Sequence, residues 1–207
     1  MKLKVFGFVI SLLVLNPGLA QAQNEHEYTD IKRVDLSKIE DYVIKKVSGR
    51  TTTIQKLPNF VLEDTTGKIQ DFYQFLKGKN IVLLTFFRAD CDNSYYEYPN
   101  FEKNYKKFKS KGFDIFSIME YSNDDYLEEY LMNFSPVFTT TLGTRTKEDE
   151  DVRFLTDHYR LRKSLGDSRK WGTPFSFLIK DGDLRNVWYV GGEFNPGDLE
   201  KFLEEYL

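Results

Sequence analysis

Cysteine is nearly missing from this chain of 207 residues: there is one, Cys91, beside only two histidines, His26 and His158. An intramolecular disulfide is excluded, and so is a zinc cage of the Cys/His type. No metal site is expected. Charge of one sign is lacking too. The 29 Lys and Arg against 32 Asp and Glu leave a net −3, without the basic surface that nucleic acid requires. Long apolar runs are absent. The run Val5 to Leu15, eleven residues, falls short of the roughly 20 that span a bilayer. What is present packs well: 41% hydrophobic residues, with 18 Phe, 13 Tyr and 2 Trp. That composition rules out wholesale disorder, and the length fits one domain with an extension.

The N-terminus reads as an address. Lys2 and Lys4 precede the apolar run, Asn16-Pro17-Gly18 breaks it, and the small residues Ala20 and Ala22 follow. Residues 1–23 thus have the three parts of a secretory signal. The expectation is an exported, periplasmic protein with no membrane span in its mature form. A single Cys in an oxidising compartment is a leftover thiol: reactive, intermolecularly paired, or buried and inert.

Residues 24–50 form a polar N-terminal extension, with one short helix expected from Ser37 to Lys46. Residues 51–207 are expected to form the domain, and from Leu57 the punctuation sharpens. Phe60-Val61-Leu62 and Ile69 to Phe72 are short strands around the turn at Gly67. Asn80 to Phe87 is an almost unbroken apolar run, as a strand covered on both faces requires. Beyond Cys91 the period changes: Tyr98, Phe101, Tyr105 and Phe108 mark one face of a helix that Gly112 stops. Phe113 to Met119 is a strand, Ser122 to Asp125 caps a helix through Met132, and Phe175 to Ile179 is a strand. A hairpin then leads through Arg185 to Val190 to a last helix with Leu199, Phe202, Leu203 and Tyr206 facing inward. Between these elements, residues 139–170 look like an insertion with one helical piece. His158 on that piece and His26 in the tail read as solvated side chains. The order implies an α/β fold, a mixed sheet with helices on both faces.

Four local patterns together resemble the thioredoxin-like superfamily. Within it, they are most similar to the exported TlpA/ResA-type thiol–disulfide oxidoreductases and the related redoxin/AhpC–TSA proteins. Leu57-Pro58-Asn59-Phe60 through Asp64, with Gly67-Lys68, looks like that group's opening hairpin. Leu76-Lys77-Gly78-Lys79 and the apolar strand stand at the usual place. FFRADCDNSYYEYP, Phe86 to Pro99, is similar to the motif F-W-A-x-W-C-x-x-C-x-x-E-x-P. WGTPFSFLIKDG, Trp171 to Gly182, is similar to G-T-P-x-x-F-L-I-D-x-D-G. The resemblance covers residues 57–207.

The departures matter as much. Cys91 matches the first motif cysteine, but Ser94 replaces the second, so CxxC becomes CxxS. Asp90 stands where the family has an aromatic, Phe87 where it has Trp, and Thr85 where thioredoxin proper keeps a buried Asp; Glu97 and Pro99 are retained. The resemblance implies that Cys91 and Ser94 form the catalytic pair and that Thr173-Pro174 is a cis-prolyl client-binding edge. A helix N-terminus favours a thiolate at Cys91, while Asp90 and Asp92 oppose it and Arg88 offsets them if its side chain turns the same way.

Exchange passes through a mixed disulfide that a second thiol must resolve, and this chain holds no second thiol. The first reading is therefore monothiol exchange with protein or low-molecular-weight thiols and disulfides, with no cofactor. A Cys91-linked dimer stays open. The competing reading is a redox-inactive binding module with Tyr95, Tyr96 and Tyr98 as a contact patch. A peroxiredoxin-like peroxidase ranks lower, because Arg88, not Thr or Ser, stands three before Cys91.

Overall fold

The computed structural model describes residues 26–38, 44–47, 50–52, 57–144 and 152–207. Residues 1–23, read above as a secretory signal, lie outside them. In chain order the strands and helices begin with β1 (Tyr28–Thr29), β2 (Lys32–Val34), β3 (Ile44–Val47), β4 (Arg50–Thr52), β5 (Val61–Glu63), β6 (Ile69–Asp71) and α1 (Phe72–Phe75). There follow β7 (Ile81–Phe87), α2 (Asp92–Phe108), β8 (Phe113–Met119), α3 (Asp124–Asn133), β9 (Thr139–Leu142) and α4 (Asp157–Ser164). The chain closes with β10 (Phe175–Lys180), β11 (Val187–Val190), β12 (Glu193–Phe194) and α5 (Asp198–Tyr206).

Six strands make the central sheet, in the order β2-β11-β10-β7-β8-β9. Strands β7, β8 and β9 run parallel, whereas β10, β11 and β2 each pair antiparallel with their neighbour. This is the mixed sheet that the element order implies. Strand β7 is buried along its whole length, and period-two alternation divides it between two cores. Ile81, Leu83 and Phe87 pack with Tyr98, Phe101 and Phe108 of α2 and Leu199 and Leu203 of α5. Val82, Leu84 and Phe86 pack on the other face with Phe60, Phe72, Phe116 and Leu161. Burial of those apolar side chains, at about 1.5–3 kcal/mol each, holds the helices on the sheet.

Three expectations need correction. The described residues of the span Ser37 to Lys46 are not α-helical: Leu36–Lys38 is a single 3-10 turn, and Ile44–Val47 is a strand paired with Arg50–Thr52. The start of the polar extension is built into the fold, because β2 adds an edge to the main sheet and β1 pairs with β12. The segment read as an insertion opens with β9, and α4 buries His158, Leu161 and Arg162. Residues 145–151 lie outside the described part.

The outer edge of β9 does not stay open. Thr65 N donates to Thr140 O at 3.0 Å, and Asp64 bridges Thr141. Asp64 holds that turn by accepting from Thr66 N, Lys68 N and Gln70 Nε2.

Candidate active site at the end of β7

Strand β7 delivers the chain to the C-terminal edge of the sheet, where Cys91 is the residue that caps α2. Its carbonyl accepts from Ser94 N at 2.9 Å and Tyr95 N at 3.1 Å. The sulfur therefore sits at the positive end of a 17-residue helix, which favours negative charge there. Cys91 is partly exposed and free. Its Sγ donates to Thr173 O across 3.6 Å, and the Thr173-Pro174 peptide is cis. The structure thus brings Cys91, Thr173 and Pro174 together.

Ser94 is one turn further on, 4% exposed. Its Oγ accepts from Arg88 N at 3.4 Å, a bond to the end of the strand and not to the sulfur. Asp90 is drawn into a bidentate pair with Arg88, with Nη2–Oδ2 at 2.6 Å and Nε–Oδ1 at 3.1 Å, and it also accepts from Ser122 Oγ. Arg88 does turn toward the acid that precedes Cys91. Its guanidinium lies 4.8 Å from the Trp171 ring centre, which ties the cysteine loop to the loop that carries Pro174.

Below the cysteine, Thr85 and Ser176 share a hydrogen bond of 2.8 Å between adjacent strands, both 1% exposed. Glu97 is buried as well. Burial pushes its carboxyl up from 4.5 to about 7, and Glu193 nearby adds to this, against the bonds its oxygens accept from Asn100 Nδ2 and Phe194 N. A cleft of about 370 Å³ opens beside it, walled by His26, Tyr28, Tyr96 and Lys103. The tyrosine patch divides: Tyr98 is core, Tyr95 packs on Tyr130 and Phe134, and Tyr96 is exposed against His26.

Of the two histidines read as solvated, His26 is exposed, its side chain at 42%, whereas His158 departs from the expectation. His26 pairs through Nδ1 with Glu193 Oε2 at 2.7 Å. His158 is wholly buried, between Phe86 and Tyr121, one residue contact away from the prolyl loop. Its signal was spacing: Leu161 and Leu165 follow at three and seven, the inward face of a helix. Among the described residues, no group of three or more His, Cys, Asp or Glu is arranged to hold a metal ion. No helix among them is long and apolar enough to cross a membrane.

This architecture is a thioredoxin-like fold. The thioredoxin domain of a thiol-disulfide oxidoreductase from Bacteroides vulgatus superposes with a TM-score of 0.53 at 22% identity, over 72% of this chain and 93% of that one. A thiol:disulfide interchange protein of the thioredoxin family from Chlorobium tepidum TLS gives 0.54 at 19%, over 72% and 93%. Residues 53–142, which include Cys91, match the model of the AhpC/TSA family. The chain is also similar to the thiol-disulfide oxidoreductase ResA of Bacillus subtilis (strain 168), 37% identical over 87 residues. That match covers 40% of this chain and spans about half, 48%, of the relative.

Proposed function

We propose that the chain is an exported thiol–disulfide exchange protein that works through Cys91 alone. One observation carries this reading: the only sulfhydryl is half-exposed at a helix N-terminus, within 3.6 Å of the carbonyl beside a cis-proline. In the step, the Cys91 thiolate attacks one sulfur of a client disulfide. A Cys91–client bond forms, the client S–S bond breaks, and the departing client thiolate takes up the proton that Cys91 released. Thr173 and Pro174 present the edge on which an extended client lies. Ser94 keeps the geometry of the lost second cysteine without its redox capacity. Resolution falls to another thiol of the client, to a small thiol, or to a second copy through Cys91. Residues 1–23 serve as the leader to the periplasm, and residues 51–207 together with β2 of the polar extension make up the thioredoxin-like domain.

The test mixes the reduced protein with a peptide disulfide and follows mass without reductant. The native chain accumulates a peptide adduct at Cys91, and Cys91→Ser accumulates none. Ser94→Cys releases the peptide and loses two hydrogens as Cys91 bonds to the thiol introduced at position 94. A native chain that forms no adduct overturns the proposal in favour of a redox-silent binding module. A Ser94→Cys variant that keeps its adduct refutes the assignment of position 94.

A further inference from the structure

His158 takes no part in the exchange chemistry and has no exposed surface, yet both of its nitrogens are engaged one peptide away from Thr173. Nε2 lies 3.2 Å from Gly172 O and Nδ1 lies 3.1 Å from Tyr121 Oη. A carbonyl only accepts, so Nε2 carries the proton and donates it. The neutral ring then accepts at Nδ1, and the single proton of the Tyr121 hydroxyl is committed to it. Thr156 Oγ1, 2.7 Å from Tyr121 Oη, donates in turn. It also lies 2.9 Å from Arg153 O, and the two acceptors share its proton. Burial, with the Arg162 cation beside it, holds His158 well below its ordinary value, so the ring is neutral around neutral pH.

Two backbone features show that this relay is built in. Tyr121 has φ +62, a left-handed conformation that a bulky side chain adopts only at a cost and that tends to occur where function requires it. Gly172 has φ +64, and the Arg162 guanidinium fills the space where a side chain would begin. The peptide before Thr173 is thus pinned through its carbonyl by His158 and through its Cα by Arg162.

We propose that His158 is a positioning residue for Cys91: its bond to Gly172 O fixes the Gly172–Thr173 segment so that Thr173 O stays on the Cys91 S–H. That contact restrains the sulfur at rest, because a disulfide is attacked only after the S–H···O bond is given up. The inference rests on the reading of Cys91 as an exchange thiol.

The test follows reaction of the purified chain with a dipyridyl disulfide at neutral pH. Cys91 displaces one pyridinethiolate, which takes up the proton and is read by its absorbance, while Cys91 keeps the other half as a mixed disulfide. His158→Leu reacts about fivefold faster than the native chain, the factor that one ordinary hydrogen bond supplies. His158→Gln, whose amide N–H reaches the same carbonyl, stays within about twofold. A purely structural role would move both variants together, so Leu and Gln rates that change alike overturn the proposal, as does a slower or unchanged Leu variant. Should His158→Leu fail to fold, Tyr121→Phe decides: faster than native supports the relay, equal or slower refutes it. A native chain that reacts with this probe but captures no peptide disulfide loses the proposed function and leaves the His158 comparison standing. No reaction in any variant overturns both.

Discussion

Replacing Glu120 by Gln takes a buried acid away from the position just after β8 and leaves its shape in place. The side chain is 6% exposed. Its Oε2 accepts from Thr144 N at 3.1 Å, and a side chain at Gly143 would collide with its carboxyl. Burial moves the carboxyl from 4.5 to about 7. Below 4.5 the group is protonated in the folded and unfolded chains alike and costs nothing. As pH rises above that value, the unfolded chain gives up the proton while the fold retains it, so stability declines until the folded group also ionises near 7. Over that window the loss is about 3 kcal/mol. The Gln variant has nothing to titrate there. It should match the native chain near the acidic end and exceed it by about 3 kcal/mol above neutrality. Urea unfolding at a series of pH values measures the difference. Glu97, raised to the same region by its own burial, titrates in both proteins and cancels in the subtraction. A difference that does not vary with pH, or a Gln variant less stable at the alkaline end, refutes the reasoning.

Gly172→Ala should destabilise by about 2–4 kcal/mol, because the added methyl is strained by the positive φ and overpacks against Arg162; a thermal melt within a degree or two of native contradicts this. Thr85→Val should cost about 1–3 kcal/mol by leaving Ser176 Oγ buried without its partner. The double variant Thr85→Val with Ser176→Ala should recover much of that loss in urea, and a double variant weaker than the single one would show that the pair is not the cause.

Much of the architecture is legible because it depends on burial. The run from Asn80 to Phe87, the helix face of Tyr98, Phe101 and Phe108, and the inward residues of α5 all state their partners through spacing. The opposed position of Cys91 and Thr173 is legible only through the combined motifs, since no periodicity links residues 82 apart. Elements at the margin escape for physical reasons. Lys32–Val34 is an edge strand, and edges carry charge instead of a regular apolar alternation. Thr139–Leu142 reads as polar although its β-branched threonines suit a strand. His158 looks solvated because its partners, Tyr121 and Gly172, come from distant parts of the chain. The Arg88–Asp90 pair depends on side-chain direction, which residue order does not specify.

The turn that lays Thr65 and Asp64 along β9 has a further consequence for how copies of this chain meet. A bare terminal strand invites a neighbour to continue the ladder, the usual route to sheet-mediated aggregation. Here that end is already stopped by the protein's own hairpin. The opposite end presents Lys32 and Arg33, whose like charges repel an identical strand brought alongside. Crowding this protein therefore does not readily grow an extended sheet from either margin.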